Sequence, residues 1–186
     1  RQRRQAILAA TLGNGLEFYD FITFAFFAIQ IGHTFFPSVS PYLSLMGSLA
    51  TFFAGFLTRP LGALVLGTYA DKVGRKPAMM VSMTMMGAGI ILLVLTPSYA
   101  QIGYAAPIIA VLARMIQGFA LGGEVGSATI YMMEGADPNR RAFSMAWQGA
   151  SQNIAASVGS LVGLLLTYWL SEAELSAYGW RIALAI

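Results

Sequence analysis

Four charged residues stand near the middle of long apolar stretches: Glu17 and Asp20, then Arg114 and Glu124. A charge in hydrocarbon is costly and marks a path for an ion, a proton or a substrate. Glu17 and Asp20 are one helical turn apart. At about 1.5 Å rise per residue, Glu17 is roughly 16 Å beyond the start of its stretch, near mid-depth of a bilayer core of roughly 30 Å. Desolvation disfavours a charged carboxylate, so Glu17, Asp20 and Glu124 are candidate proton carriers. At about 100° per residue, Arg114, Gln117, Leu121 and Glu124 share one helix face. That face is mostly polar and should line a cavity rather than meet lipid. The planar fork of an arginine matches a carboxylate, so Arg114 is the candidate anchor for an organic anion.

Other polar groups accompany these four. Trp147-Gln148-Gly149-Ala150-Ser151-Gln152-Asn153 puts amides and a hydroxyl at mid-depth of a later stretch. They can hydrogen-bond a polar substrate or stitch helices together. The substrate reading adds Gln117, Gln148, Gln152 and Asn153 to Arg114. Arg59, followed by Pro60, either snorkels to an interface or contacts a gate or a substrate; it is grouped here with the gate. His33 reads as an interfacial polar residue, and Gly159 and Gly163 as a close-packing pair. Met79 to Met86 reads as packing or lipid-facing filler. There is no cysteine, and no nucleophile–base or metal-ligand set accompanies the buried acids. An enzyme is therefore not expected, nor a cofactor, a metal or a nucleic-acid partner.

The elements that must carry these groups are membrane spans. Hydrophobic residues make up 57% of the 186 and charged residues 10%, against about a quarter charged in soluble domains. A span needs roughly 20 mainly apolar residues. Five stretches qualify: Ala6–Ile31, Tyr42–Ala70, Pro77–Thr96, Tyr104–Glu134 and Ala142–Leu170. A sixth starts at Gly179 and stops incomplete at Ile186, so the chain reads as a fragment of something longer. Arg1, Arg3 and Arg4 precede the first stretch; Lys72, Arg75 and Lys76 follow the second; Arg140 and Arg141 follow the fourth. The alternate loops before Gly179 have no Lys or Arg, and the positive-inside rule puts the N-terminus in the cytoplasm. The opening Arg-Gln-Arg-Arg is no signal peptide, because the apolar run behind it is too long and carries Glu17 and Asp20.

Between the second and third stretches the chain reads Gly67-Thr68-Tyr69-Ala70-Asp71-Lys72-Val73-Gly74-Arg75-Lys76. This resembles the G-x-x-x-D-[RK]-x-G-[RK]-[RK] signature of the major facilitator superfamily at every fixed position. Arg114-x-x-Gln117-Gly118 is similar to that superfamily's fourth-span pattern, in which the arginine faces the first span. Gly13-Asn14-Gly15-Leu16-Glu17-Phe18-Tyr19-Asp20, Thr58-Arg59-Pro60-Leu61-Gly62, Gly122-Gly123-Glu124 and Gly179-Trp180-Arg181 resemble its metabolite:proton symporter branch. Trp147-Gln148-x-Ala150-Ser151-Gln152 is most similar to the citrate and tricarballylate carriers of that branch. The drug:proton antiporters build their fifth span on Gly-Pro, and no proline occurs between Ala142 and Leu170. Sugar carriers share the basic loop and the fourth-span arginine but are expected to lack the Glu17/Asp20 pair.

The resemblance implies an all-α membrane protein, the N-terminal six-helix half of a major facilitator fold with its last helix truncated. It implies proton-coupled symport of a small organic acid by alternating access in the bacterial inner membrane, with the C-terminal helical half as partner. Asp71, Gly74 and Arg75, with Glu134 across the cytoplasmic side, would form a charge latch, and Arg59 would belong to the gate. Two alternatives stay open: a proline/betaine-type osmolyte symporter, and a truncated bundle that acts as a receptor without transport.

Overall fold

A computed structural model describes residues 2–135 and 141–186; side chains are described except at 2–10, 125–128, 131–132, 134–135, 141 and 144. Every regular element among the described residues is helical. Long apolar segments in lipid must satisfy their backbone groups internally, and the helix does so within one segment. The helices are α1 (Gln2–Phe26), α2 (Ala28–Phe35), α3 (Pro41–Val73), α4 (Arg75–Leu95), α5 (Tyr99–Ile102), α6 (Ala105–Gly135), α7 (Arg141–Trp169), α8 (Glu172–Glu174) and α9 (Trp180–Ala185). A π-helical turn at Leu175–Gly179 links the last two. Four described helices are long and apolar enough to cross a membrane, or five if the bent pair α1 and α2 is one span.

That bend departs from the sequence reading, which runs one helix from Ala6 to Ile31. The two parts meet at 70° around Phe27. No proline or glycine stands at the break, so the cause is tertiary. Phe24, Phe27, Ile31 and Phe35 are buried in one cluster with Leu93, Trp180 and Leu184. Gly32 lets α2 lie against the first turn of α3, where a Cβ would run into the Ser44 backbone. The Thr34 hydroxyl then donates to the Ser176 carbonyl at 3.1 Å.

Two seams organise the bundle around the buried charges. On α3 the buried residues are Ser44, Ser48, Thr51, Gly55, Thr58, Gly62, Leu66 and Ala70, a nearly all-small stripe at helical spacing. Small residues let membrane helices approach closely, and here α6 fills the approach. A Cβ on Gly62 would collide with the Phe119 backbone, one on Gly118 with the Gly55 backbone, and one on Gly122 with the Arg59 backbone. The Thr58 hydroxyl donates across the seam to the Met115 carbonyl at 2.8 Å. The second seam joins α1 to α7 through side chains: Gly159 faces Thr23, Ile22 and Tyr19, and Gly163 faces the Phe26 ring.

Arg181 and Tyr19 hold α9 in place. Arg181 donates to the carbonyls of Val94 at 3.0 Å, Thr96 at 2.9 Å and Ala177 at 2.6 Å. The Tyr19 hydroxyl donates to the Ala183 carbonyl at 2.7 Å. Ahead of the π-helical turn, Ser171 and Glu174 form a reciprocal cap, a common device for orphan amides at a helix start. The backbone and hydroxyl of Ser171 both donate to Glu174 and hold its carboxyl below the usual glutamate range.

Candidate functional site

The polar face of α6 packs inward against α1. Arg114 and Gln117 enter from α6 and Asp20 from α1, all buried. Nη1 of Arg114 donates to Asp20 Oδ2 at 2.6 Å and to Gln117 Oε1 at 2.5 Å. The guanidinium carbon lies 3.8 Å from the centre of the Phe24 ring. The ring face adds a favourable cation contact in a desolvated place. Asp20 is thus the counter-ion of Arg114.

Glu17 and Glu124 are buried beside this pair. Gly13, one turn before Glu17, makes the room: a Cβ there would sit 2.9 Å from Glu124 Oε1. The cluster is left incompletely bonded. Glu17 Oε1, Asp20 Oδ1, Glu124 Oε1, Gln117 Nε2, Arg114 Nε and Nη2, and Arg59 Nε are all buried without a hydrogen-bond partner. Each orphaned group costs about 1–3 kcal/mol. A concentration of orphans in one place marks where water, a proton or a ligand completes the set. A cavity of about 30 Å³ lies among Glu17, Asp20, Arg59, Arg114 and Gln117. A larger one of about 590 Å³ has Glu17, Asp20 and Glu124 on a wall otherwise built largely from α1, α4 and α9. Glu17 and Asp20 line both cavities, and Glu124 lines the larger one.

Arg59 is at the smaller cavity rather than at the loop after α3. Its guanidinium carbon lies 4.0 Å from the Phe56 ring centre and 5.9 Å from that of Phe21. The α7 amides are elsewhere. Asn14 of α1 donates to the Gln148 carbonyl at 3.0 Å and to Ser151 Oγ at 2.9 Å, and accepts from Gln152 Nε2 at 3.3 Å. Gln148 Nε2 donates to the Thr129 hydroxyl at 3.2 Å. The exposed Asn153 donates to the Gly149 carbonyl of its own helix at 2.8 Å. Gln148 and Gln152 stitch α7 to α6 and α1 in this conformation and do not line the Arg114 cavity. The sequence reading omits Asn14. Its signal was an amide between Gly13 and Gly15, one turn from Glu17, at a depth where a polar side chain needs a partner.

At the start of α4, Gly74 has φ +117°, a backbone region that favours glycine, and it turns the chain between α3 and α4. Arg75 pairs with Asp71 across that corner at 3.1 Å. The Glu134 side chain, the other expected latch member, lies outside the described residues.

Residues 6–186 match the model of the family described as sugar (and other) transporter. The citrate-proton symporter of Klebsiella pneumoniae is 46% identical over 177 residues, 95% of this chain and 40% of that relative. The proline/betaine transporter of Escherichia coli K12 is 37% identical over 179 residues, 96% of this chain and 36% of that relative. This chain thus spans about two fifths of the length of these relatives. Among solved structures, the major facilitator superfamily proton:xylose symporter XylE bound to 6-bromo-6-deoxy-D-glucose superimposes with a TM-score of 0.86 at 15% identity, over 98% of this chain and 41% of that one. A likeness at that identity speaks for the fold. The chain is an all-α, multi-pass membrane protein with a major facilitator fold, and it belongs to the sugar (and other) transporter family.

Proposed function

We propose that this chain is the N-terminal part of a proton-coupled symporter for a small organic acid, citrate or another di- or tricarboxylate. It would act in the bacterial inner membrane with its N-terminus in the cytoplasm. The observation that carries the reading is the buried cluster on α1 and α6, where Arg114 is bonded to Asp20 while Glu17 and Glu124 stand beside it with orphaned oxygens. The 46% identity to a citrate-proton symporter supports the substrate class. In a six-plus-six helix fold the site lies near midplane between two halves that rock around it. Arg114 and Gln117 would hold a carboxylate through donors that are now unpartnered. Gln148, Gln152 and Asn153 would join as α7 shifts. Glu17, Asp20 and Glu124 would carry the proton, with Asp20 releasing Arg114 when it is protonated. Asp71, Gly74, Arg75 and Glu134 would latch the cytoplasmic side. Outward apolar residues such as Leu57, Leu61 and Leu164 would meet lipid.

A proline/betaine-type osmolyte symporter is the second reading. It is favoured by the three carboxyls that outnumber the two arginines and by the 37% identity to a proline/betaine transporter. Uptake of labelled citrate, 2-oxoglutarate and betaine by the full-length protein in proteoliposomes, with and without an inward proton gradient, separates the two. Gradient-driven uptake of either acid supports the first reading; uptake of betaine alone supports the second. No gradient-driven uptake of any of the three rejects both.

A further inference from the structure

Arg59 is the charge that the account so far leaves unused. Arg114 has a carboxylate at 2.6 Å. Among the described residues, Arg59 has none within ion-pair distance, although it sits deep in α3 at the cavity it shares with Glu17 and Asp20. Its side chain is half-buried, with Nε fully covered, and a charge held inside a span without a contact counter-ion is unfavourable unless something else supplies the negative charge.

Glu17 acts on Arg59 electrostatically across the shared cavity without touching it, and the direct contacts of Arg59 are aromatic. Its guanidinium lies over the Phe56 ring. Phe56 packs on Phe52 at 5.5 Å and Phe52 on Phe24 at 5.6 Å, and Phe24 carries Arg114. One aromatic row therefore supports both guanidiniums on ring faces. Stacking fixes the plane of a guanidinium and leaves its N–H edge directed sideways, and Arg59 Nε on that edge is buried and unpartnered, as are Nε and Nη2 of Arg114. The register of the α3–α6 seam sets the spacing. A Cβ on Gly55 would sit 3.0 Å from the Arg114 carbonyl, and Arg59 is four residues further along α3, about 6 Å along the axis. Both side chains line the one small cavity, where a short acid with two carboxylates can meet both. An acid with one carboxylate fills only one of the two forks.

We propose that Arg59 is a second substrate anchor that takes a further carboxylate of the acid held by Arg114, and so selects acids by their number of carboxylates. This deepens the organic-acid symport reading and rests on it. It also moves Arg59 from the gate to the binding site.

The test pairs a change in the ligand with a change in the protein, which isolates direct contact from a general effect. In full-length protein, inhibition of labelled citrate uptake is compared for glutarate and methylsuccinate, which carry two carboxylates, and for butyrate, which carries one. Wild type should prefer at least one of the two diacids to butyrate by about tenfold or more, the scale of one charge-assisted hydrogen bond. Arg59→Gln should reduce that preference to within about twofold. Arg59→Lys keeps the charge and loses the planar fork; its preference should fall at least threefold, and it carries the test if Arg59→Gln does not reach the membrane. A preference unchanged in either variant overturns the proposal, even if uptake is slower, because a packing role would affect all three acids alike. Wild type without gradient-driven citrate uptake overturns the symport reading and this proposal together, whereas wild-type uptake with an unchanged preference in the variants overturns this proposal alone.

Discussion

The seam between α3 and α6 and the seam between α1 and α7 are built on opposite principles. Along α3–α6, glycines bring backbone onto backbone: Gly62, Gly118 and Gly122 leave no room for a methyl group, and Gly55 leaves little. Along the N-terminal half of α1 in the α1–α7 seam, contact is made by side-chain amides and a hydroxyl: Asn14 with Ser151, Gln152 and the Gln148 carbonyl. Backbone contact has essentially one geometry. Amides can exchange partners, and such bonds average only about 0.6 kcal/mol in a membrane protein. The difference teaches where motion is cheap. Arg59 and Arg114 hang from the rigid seam and keep their spacing. Glu17 and Asp20 hang from α1, whose other seam is adaptable, so acids can move relative to arginines as a transport cycle requires.

The comparison can be broken first at its rigid side. Gly118→Leu should abolish recovery of monodisperse protein from membranes, because its side chain would enter the Gly55 backbone. A Cβ on Gly149 of α7 would meet nothing within 4 Å, and Gly149→Leu should leave the yield within about twofold, since substitutions away from packed features are usually within ±0.5 kcal/mol. Size-exclusion profiles of the two variants check this contrast. Equal yields would mean that the α3–α6 contact is not the constraint described.

A second effect is smaller in folding and large in function. Arg114→Ala leaves Asp20 buried without its counter-ion, and breaking a buried pair costs about 3–5 kcal/mol. Citrate uptake should fall at least about 100-fold. Part of the loss of stability, read as a fall in thermal midpoint, should return in the double variant Arg114→Ala/Asp20→Asn. At the adaptable seam the expected change is the smallest. Asn14→Ala should lower stability by about 1 kcal/mol or less and change uptake a few-fold at most. A loss as severe as that of Gly118→Leu would show that both seams are rigid.

Much of this architecture was legible in the residues. The apolar runs mark α3, α4, α6 and α7 because a span must be long and apolar, and the three- and four-residue spacing puts Arg114, Gln117, Leu121 and Glu124 on the face that the structure buries. The break at Phe27 was not legible. It carries no local breaker, and around it Phe24, Phe27, Ile31 and Phe35 are buried against helices far along the chain. The partners of Gln148 and Gln152 were hidden for the same reason: an amide announces that it needs a partner, but which helix supplies it depends on long-range packing. The fit of Glu124 against Gly13 joins positions more than 100 residues apart, and neither residue alone implies the other.

The central claim is that protons and an organic acid cross together through the α1–α6 cluster. Its most direct measurement is proton movement on addition of citrate to proteoliposomes of the full-length protein, followed with an external pH dye. Wild type should make the medium more alkaline as citrate enters. Glu17→Gln should abolish that proton signal while retaining exchange of labelled citrate across the membrane. Citrate entry in wild type without proton movement, or a Glu17→Gln variant with the wild-type proton signal, would contradict the account.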